Sequence, residues 1–256
     1  MVWSMFDICC DCSGGDECAN AELGYAFDLR YDEDFSSSPF VPTVIDTLTS
    51  GFSGDDTGGN LELTADGASL GTGPYPRVYY GAESKHNMTP HPMTSWGQAI
   101  VEFDHDSDSD AVERFVRIAW GKSTGSALGY YSITYVLTSA DAGFLQILFD
   151  DEEPVFSELI IPNIATGPRS GKLIVDIELT AETDTYGRYT ITATLLDATD
   201  TEIKVVTLTN RLGDVLFGCG VDVSAVVAIR PSSISSRDYV SSMDNMSVDY
   251  AATVGL

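Results

Sequence analysis

The densest chemistry in this sequence lies near its start. Cys9, Cys10, Cys12 and Cys18 fall within the string Cys-Cys-Asp-Cys-Ser-Gly-Gly-Asp-Glu-Cys. Four thiolates so close together match the donor set of a tetrahedral zinc, although the paired C-x2-C spacing of zinc ribbons is missing and neighbouring Cys9 and Cys10 point apart in an extended chain. Disulfides are the competing chemistry. The fifth cysteine, Cys219 in Gly218-Cys219-Gly220, is a distant partner able to staple this arm to the body. An odd count leaves one thiol without an intrachain partner, so a bond to a neighbouring subunit is a third reading.

A second cluster is Asp104, Asp106, Asp108 and Asp110 in Phe-Asp-His-Asp-Ser-Asp-Ser-Asp, just past a strand candidate. Oxygen ligands at every second position suit calcium, but the glycine that turns an EF-hand loop and its closing Glu are absent. A solvated acidic hairpin tip is the plainer reading. The same stretch places Glu102 and Asp104 on one face of a strand, as a retaining glycosidase pair requires. His86, His91 and His105 read as loop residues. His86 and His91 flank a Pro-containing turn, and no Gly-x-Ser-x-Gly elbow or helix-borne His pair accompanies them. Tyr79, Tyr80, Trp96, Trp120, Tyr130 and Tyr131 would stack on sugar rings if they faced outward, but strand aromatics are more often core. The sequons at Asn87 and Asn245 matter only for an exported eukaryotic chain.

Such residues need a scaffold, and composition bounds it. The 256 residues carry 39 acidic against 13 basic side chains, a formal charge of -26. That field repels nucleic acid phosphates and anionic membranes, so neither is an expected partner. The start lacks the basic and long apolar regions of a secretory signal, and no run approaches the ~18 apolar residues of a membrane span.

From about Trp96 onward one pattern recurs: period-two apolar alternation, then a Gly, Asp, Ser or Pro cluster. In Lys172 to Thr180, Leu173, Val175, Ile177 and Leu179 point one way while Lys172, Asp176, Glu178 and Thr180 point the other. In Gly187 to Leu196, Tyr189, Ile191, Ala193 and Leu195 oppose a threonine face. Further strands are expected at 98–103, 113–120, 130–138, 144–149, 155–161, 202–209, 221–229 and 243–250. Residues 50–75, rich in Gly, Asp and Thr, read as edge loops with short strands such as Leu61 to Thr64. Thr43 to Leu48 and Ser224 to Ala228 are the best helical exceptions. The organisation is an N-terminal cysteine-bearing arm, residues 1–22, followed by one all-β antiparallel sandwich, residues 23–256.

The strand Tyr25-Ala-Phe-Asp-Leu-Arg-Tyr-Asp-Glu-Asp-Phe35, the hairpin series and the ending Ser242-Met-Asp-Asn-Met-Ser-Val-Asp-Tyr250 resemble the concanavalin A-like, or laminin G-like, jelly roll. The resemblance implies that the last strand pairs near the first. It raises the case for calcium near a ligand face, and it counts against hydrolysis, because the second Glu that closes the jelly-roll hydrolases' pattern is missing here. The expectation is a non-enzymatic structural subunit of an extracellular assembly such as a phage head decoration, tail or fibre. Its partners are then other subunits, with surface glycans in addition. A lectin-like carbohydrate-binding module is the alternative, and a glycoside hydrolase a more distant one.

Overall fold

The computed structural model of the chain describes residues 26–35, 43–44, 52–55, 60–65, 80–88, 94–106, 112–121, 130–138, 142–150, 159–160, 163–182, 187–213, 221–231 and 239–253. The elements in chain order are β1 (Ala26–Glu33), β2 (Thr43–Val44), β3 (Phe52–Asp55), β4 (Leu61–Ala65), β5 (Tyr80–Met88), β6 (Thr94–His105), β7 (Val112–Gly121) and β8 (Tyr130–Leu137). They continue as β9 (Gly143–Asp150), β10 (Leu159–Ile160), β11 (Asn163–Ile164), β12 (Ser170–Glu182), β13 (Gly187–Asp197), β14 (Glu202–Gly213), β15 (Val221–Pro231) and β16 (Tyr239–Thr253). Among the described residues there is no helix, and so none that is long and apolar enough to cross a membrane.

Two antiparallel sheets make the sandwich. Sheet A runs β14-β13-β12-β6-β16-β4-β3, with β1 also paired to β16. Sheet B runs β10-β9-β8-β7-β15-β5-β2, with β11 also on β9. Neighbours distant in sequence, such as β6 beside β16 and β7 beside β15, are the long crossovers of a jelly roll. The last strand does meet the first: β1 and β16 pair from Ala26 opposite Thr253 to Glu33 opposite Met246.

Alternation places the core. Ala99, Val101 and Phe103 of β6, Leu173, Val175 and Ile177 of β12, and Ile191, Ala193 and Leu195 of β13 are buried against Val116, Ile118 and Trp120 of β7. Each of the Val, Leu, Ile and Phe side chains so removed from water contributes about 1.5–3 kcal/mol. Trp120 lies across Gly97, where a Cβ would collide with its ring carbons, so glycine is required there.

Two sequence expectations are corrected by the sheets. Ser224 to Ala228 is not helical but part of β15, whose residues Val223 to Ile229 are all buried. A strand covered on both faces loses its period of two, which is why the run looked ambiguous. Its outward side belongs to a row in register, Ala228–Phe115–Val136–Phe144, which forms a second apolar cluster on sheet B. Of the other helical exception, Thr43 and Val44 form a strand, β2, and residues 45–48 lie outside the described residues. Residues 52–55 and 61–65 pair as a hairpin at the edge of sheet A, as the loop-and-short-strand reading of that region anticipated in part. Of the expected strand 155–161, Leu159 and Ile160 are described, as β10. The cysteine arm, residues 1–22, and Cys219 lie outside the described residues.

Candidate functional site

The outward face of sheet A carries the side chains that alternate with its core, and strand register arranges them in rows. One row reads Asp249–Gln98–Asp176–Thr192–Thr207 across five strands. Within it the Gln98 side-chain amide donates to Asp176 Oδ1 at 2.7 Å, and the Thr192 and Thr207 hydroxyls lie 3.2 Å apart. The next row is different. Ser247, Ile100, Ile174, Thr194 and Val205 bring two isoleucines side by side between rows that are mostly polar. A third row, Asp244–Glu102–Lys172–Leu196, restores charge.

Between the second and third rows lies a groove of about 450 Å³. Ile100, Ile174 and Leu196 line it, together with Asp32, Asp34, Glu102, Lys172, Asp200, Asn245 and Ser247. Its polar side chains are fixed by one another. Lys172 Nζ lies 2.9 Å from Asp200 Oδ1 and 3.3 Å from Glu102 Oε1, and these two carboxylates raise the lysine's pKa above its ordinary value. The other oxygen of Glu102 accepts from Asn245 Nδ2 at 2.8 Å. Burial pushes the Asp244 carboxyl above its usual range; the Asn245 N–H opposes this, while the Glu102 and Asp34 charges add to it.

Backbone devices build the groove walls. Strand β16 pairs with β4 through Met243 and with β1 from Met246 onward, so its outer neighbour changes there. At that point a bulge inserts one residue opposite β6, and Asn245 takes a left-handed φ of 48°. Asn245 is thereby lifted toward the groove. Asp200, with φ 60°, sits in the β13–β14 turn. Asp197 Oδ1 organises that turn by accepting from the Thr199 hydroxyl at 2.7 Å, the Thr199 N–H at 2.8 Å and the Thr201 N–H at 3.0 Å. These donors hold the Asp197 carboxyl below its usual pKa. Phe35, with φ 53°, follows Asp34; Asn and Asp tolerate this region, but Phe does not without compensation. The compensation is its fully buried ring and its N–H, which donates to Glu33 Oε1 at 2.8 Å. Among the described residues these three are the non-glycine positions with positive φ; Asp200 and Asn245 line the groove, and Phe35 follows directly on Asp34, which lines it too.

The acidic run after β6 is split by the structure. Glu102 and Asp104 do share the outward face, whereas Phe103 and His105 point into the sandwich. Asp106 closes the end of the sandwich instead: it forms an ion pair with the buried Arg114 of β7, and its other oxygen accepts from the Val240 N–H at 3.2 Å. Asp108 and Asp110 lie outside the described residues, and among those described no group of three or more acidic, His or Cys side chains is arranged to hold a metal ion. Partial burial and the neighbouring charge of Asp106 push the Asp104 carboxyl up.

The reading of the histidines as loop residues is corrected for two of them. His86 is in β5, and His105 is a core residue, 2% exposed, at the end of β6. Burial, then the charges of Arg114 and Arg169, lower its pKa to about 3, and its Nδ1 lies 3.1 Å from Ser241 Oγ. His91 lies outside the described residues. Of the aromatic candidates, Trp120 is core, while Trp96 is 40% exposed on the outward face of β6.

Sequence reasoning missed the groove itself. Its lining comes from five separated segments, and no motif joins them. The available signal was Ile174, an aliphatic residue interrupting the polar series Lys172, Asp176, Glu178.

No protein-family model and no curated protein matches the chain. Solved structures do. The CBM2 module of the Lactobacillus casei BL23 phage J-1 evolved Dit superimposes with a TM-score of 0.55 at 13% identity, covering 90% of this chain and 99% of that module. Winged bean acidic lectin complexed with methyl-alpha-D-galactose gives 0.48 at 12% identity, covering 90% and 100%. The marine alginate lyase of Aplysia kurodai gives 0.46 at 9% identity, covering 82% and 90%. The sheet order, the closure of β16 onto β1 and the likeness to the phage module agree on one architecture: the fold is the concanavalin A-like jelly roll.

Proposed function

We propose that this chain is a non-enzymatic component of a phage virion that uses its jelly roll as a rigid block and binds glycan through the outward face of sheet A. The observation that carries the reading is the groove. An aliphatic floor of Ile100, Ile174 and Leu196 suits the C–H face of a sugar ring. The surrounding carboxylates, amide, hydroxyl and ammonium suit its hydroxyls, and strand backbones hold these groups in place. Binding rather than turnover is favoured because both Glu102 oxygens are already engaged, one by Lys172 and one by Asn245. The likeness to a module of a phage Dit supports the virion setting, although a shared fold does not by itself transfer a role.

Two measurements test this. Mass spectrometry of gradient-purified particles is expected to find the chain, and a glycan array is expected to show binding that weakens when Asn245→Ala opens the groove. A chain absent from particles, monomeric and silent on the array overturns the proposal. Hydrolysis of an arrayed polysaccharide, lost in Glu102→Gln, would replace it with an enzyme.

A further inference from the structure

We infer that the groove is one end of a longer track along β6 reaching Trp96, and that its ligand is an internal stretch of a non-anionic polysaccharide rather than a terminal sugar. This rests on the glycan-binding reading above and specifies its ligand. The independent observation is Trp96. The indole is 40% exposed on the outward face of a strand inside sheet A, not at an edge, where it presents a flat apolar surface with a polar N–H. Its register neighbours are Glu178 on β12 and Ala251 on β16.

Trp96, Gln98, Ile100 and Glu102 are successive outward residues of one strand. At the rise of a β-strand they span roughly 20 Å, room for an oligosaccharide of roughly four rings. The chemistry alternates along that line. Trp96 offers a flat apolar surface, Gln98 with Asp176 a hydrogen-bonded polar pair, Ile100 with Ile174 a second apolar surface, and Glu102 with Lys172 and Asn245 a second polar group. A pyranose chain presents C–H faces and hydroxyl edges in the same alternation.

Charge selects among polysaccharides. The carboxylates of Asp176 and Glu102 flank the track, and Lys172 is already held between Glu102 and Asp200. A uronate or sulfated chain would meet these carboxylates within a body of net charge -26, whereas a neutral or amino sugar would not be repelled.

The test is calorimetric titration of the full chain with oligomers of glucose, N-acetylglucosamine and glucosamine from one to about six units, and with oligogalacturonates as the anionic counterpart. At least one non-anionic series is expected to gain about tenfold in affinity between two and four units, with no binding of oligogalacturonate. Trp96→Ala should abolish that gain; Trp96→Phe should retain most of it. Trp96 is 40% exposed and packs the rest of its surface, so Trp96→Ala is expected to lower the thermal midpoint; titrating well below that midpoint, with Trp96→Phe alongside, separates lost stacking from lost folding.

Affinity that does not grow with length, or that grows equally in Trp96→Ala, overturns the track and leaves the groove reading intact. Preferential binding of oligogalacturonate overturns the charge selection. No binding by any series, with the array also silent, overturns both readings. Normal sugar binding but failed particle incorporation in Trp96→Ala reassigns the indole to a protein contact and likewise overturns the track.

Discussion

Replacing His105 with Gln should flatten the acid limb of this protein's stability curve. The imidazole is buried at the end of the sandwich, with Ser241 on Nδ1, the Phe103 ring at 5.1 Å, the cations of Arg114 and Arg169 nearby and Asp106 beside it in the chain. In the folded state it stays neutral down to about pH 3, against an ordinary value of 6.5. The unfolded chain takes up a proton below pH 6.5 that the folded chain refuses, so the stabilisation is complete above that pH and is lost as pH falls toward 3. Each pH unit in the window is worth about 1.4 kcal/mol, so the loss between pH 7 and pH 4 is roughly 3 kcal/mol from this one group. Urea unfolding of parent and His105→Gln at pH 7, 6, 5 and 4, followed by far-ultraviolet circular dichroism, isolates it, because the carboxylates titrate in both chains. The variant is expected to start lower at pH 7 and to lose less on acidification. Curves that stay parallel to within about 0.5 kcal/mol would refute the argument that burial keeps this ring neutral.

Asp106→Asn keeps an acceptor for the Val240 N–H but removes the charge facing Arg114, which is 1% exposed; allowing for Asp106 being 22% exposed, the expected cost is about 3 kcal/mol, recovered in large part by adding Arg114→Met. A double-mutant cycle in urea measures it, and additive losses would show that the two side chains are not coupled. Gly97→Ala drives a methyl into the fully buried Trp120 ring, with an expected cost of about 1–3 kcal/mol and a lower thermal midpoint. An unchanged midpoint would mean that the indole has room to move.

Strands β6, β12 and β13 of sheet A were legible because each buries one face. Leu173, Val175 and Ile177 alternate with Lys172 and Asp176, and the structure places them as the pattern implies. Strand β15 was expected at 221–229 and runs Val221–Pro231, but burial of both its faces erases the alternation that distinguishes strand from helix, so Ser224 to Ala228 within it also read as a helical turn. His105 was misread for a related reason. Its neighbours Asp104 and Asp106 made the segment look solvated, yet Asp104 faces outward and Asp106 is turned onto Arg114, leaving only the ring inside. The groove depends on a bulge at Asn245 and a turn at Asp200, both left-handed residues whose local sequence does not announce which distant strand they will meet. Register across five segments creates the site, and register is a property of the assembled sheet.

The pairing of Ala26 with Thr253 also determines how this body can be attached to others. Its first and last strands end side by side, about 5 Å apart as partners in an antiparallel ladder. A domain with such closely set ends can be spliced into a surface turn of a carrier protein without prising that turn apart. The same closeness allows the two ends to be fused and a new start opened at an exposed hairpin with every ladder intact. The outward face of sheet A would then be carried as a portable cassette, aimed by whatever holds its ends.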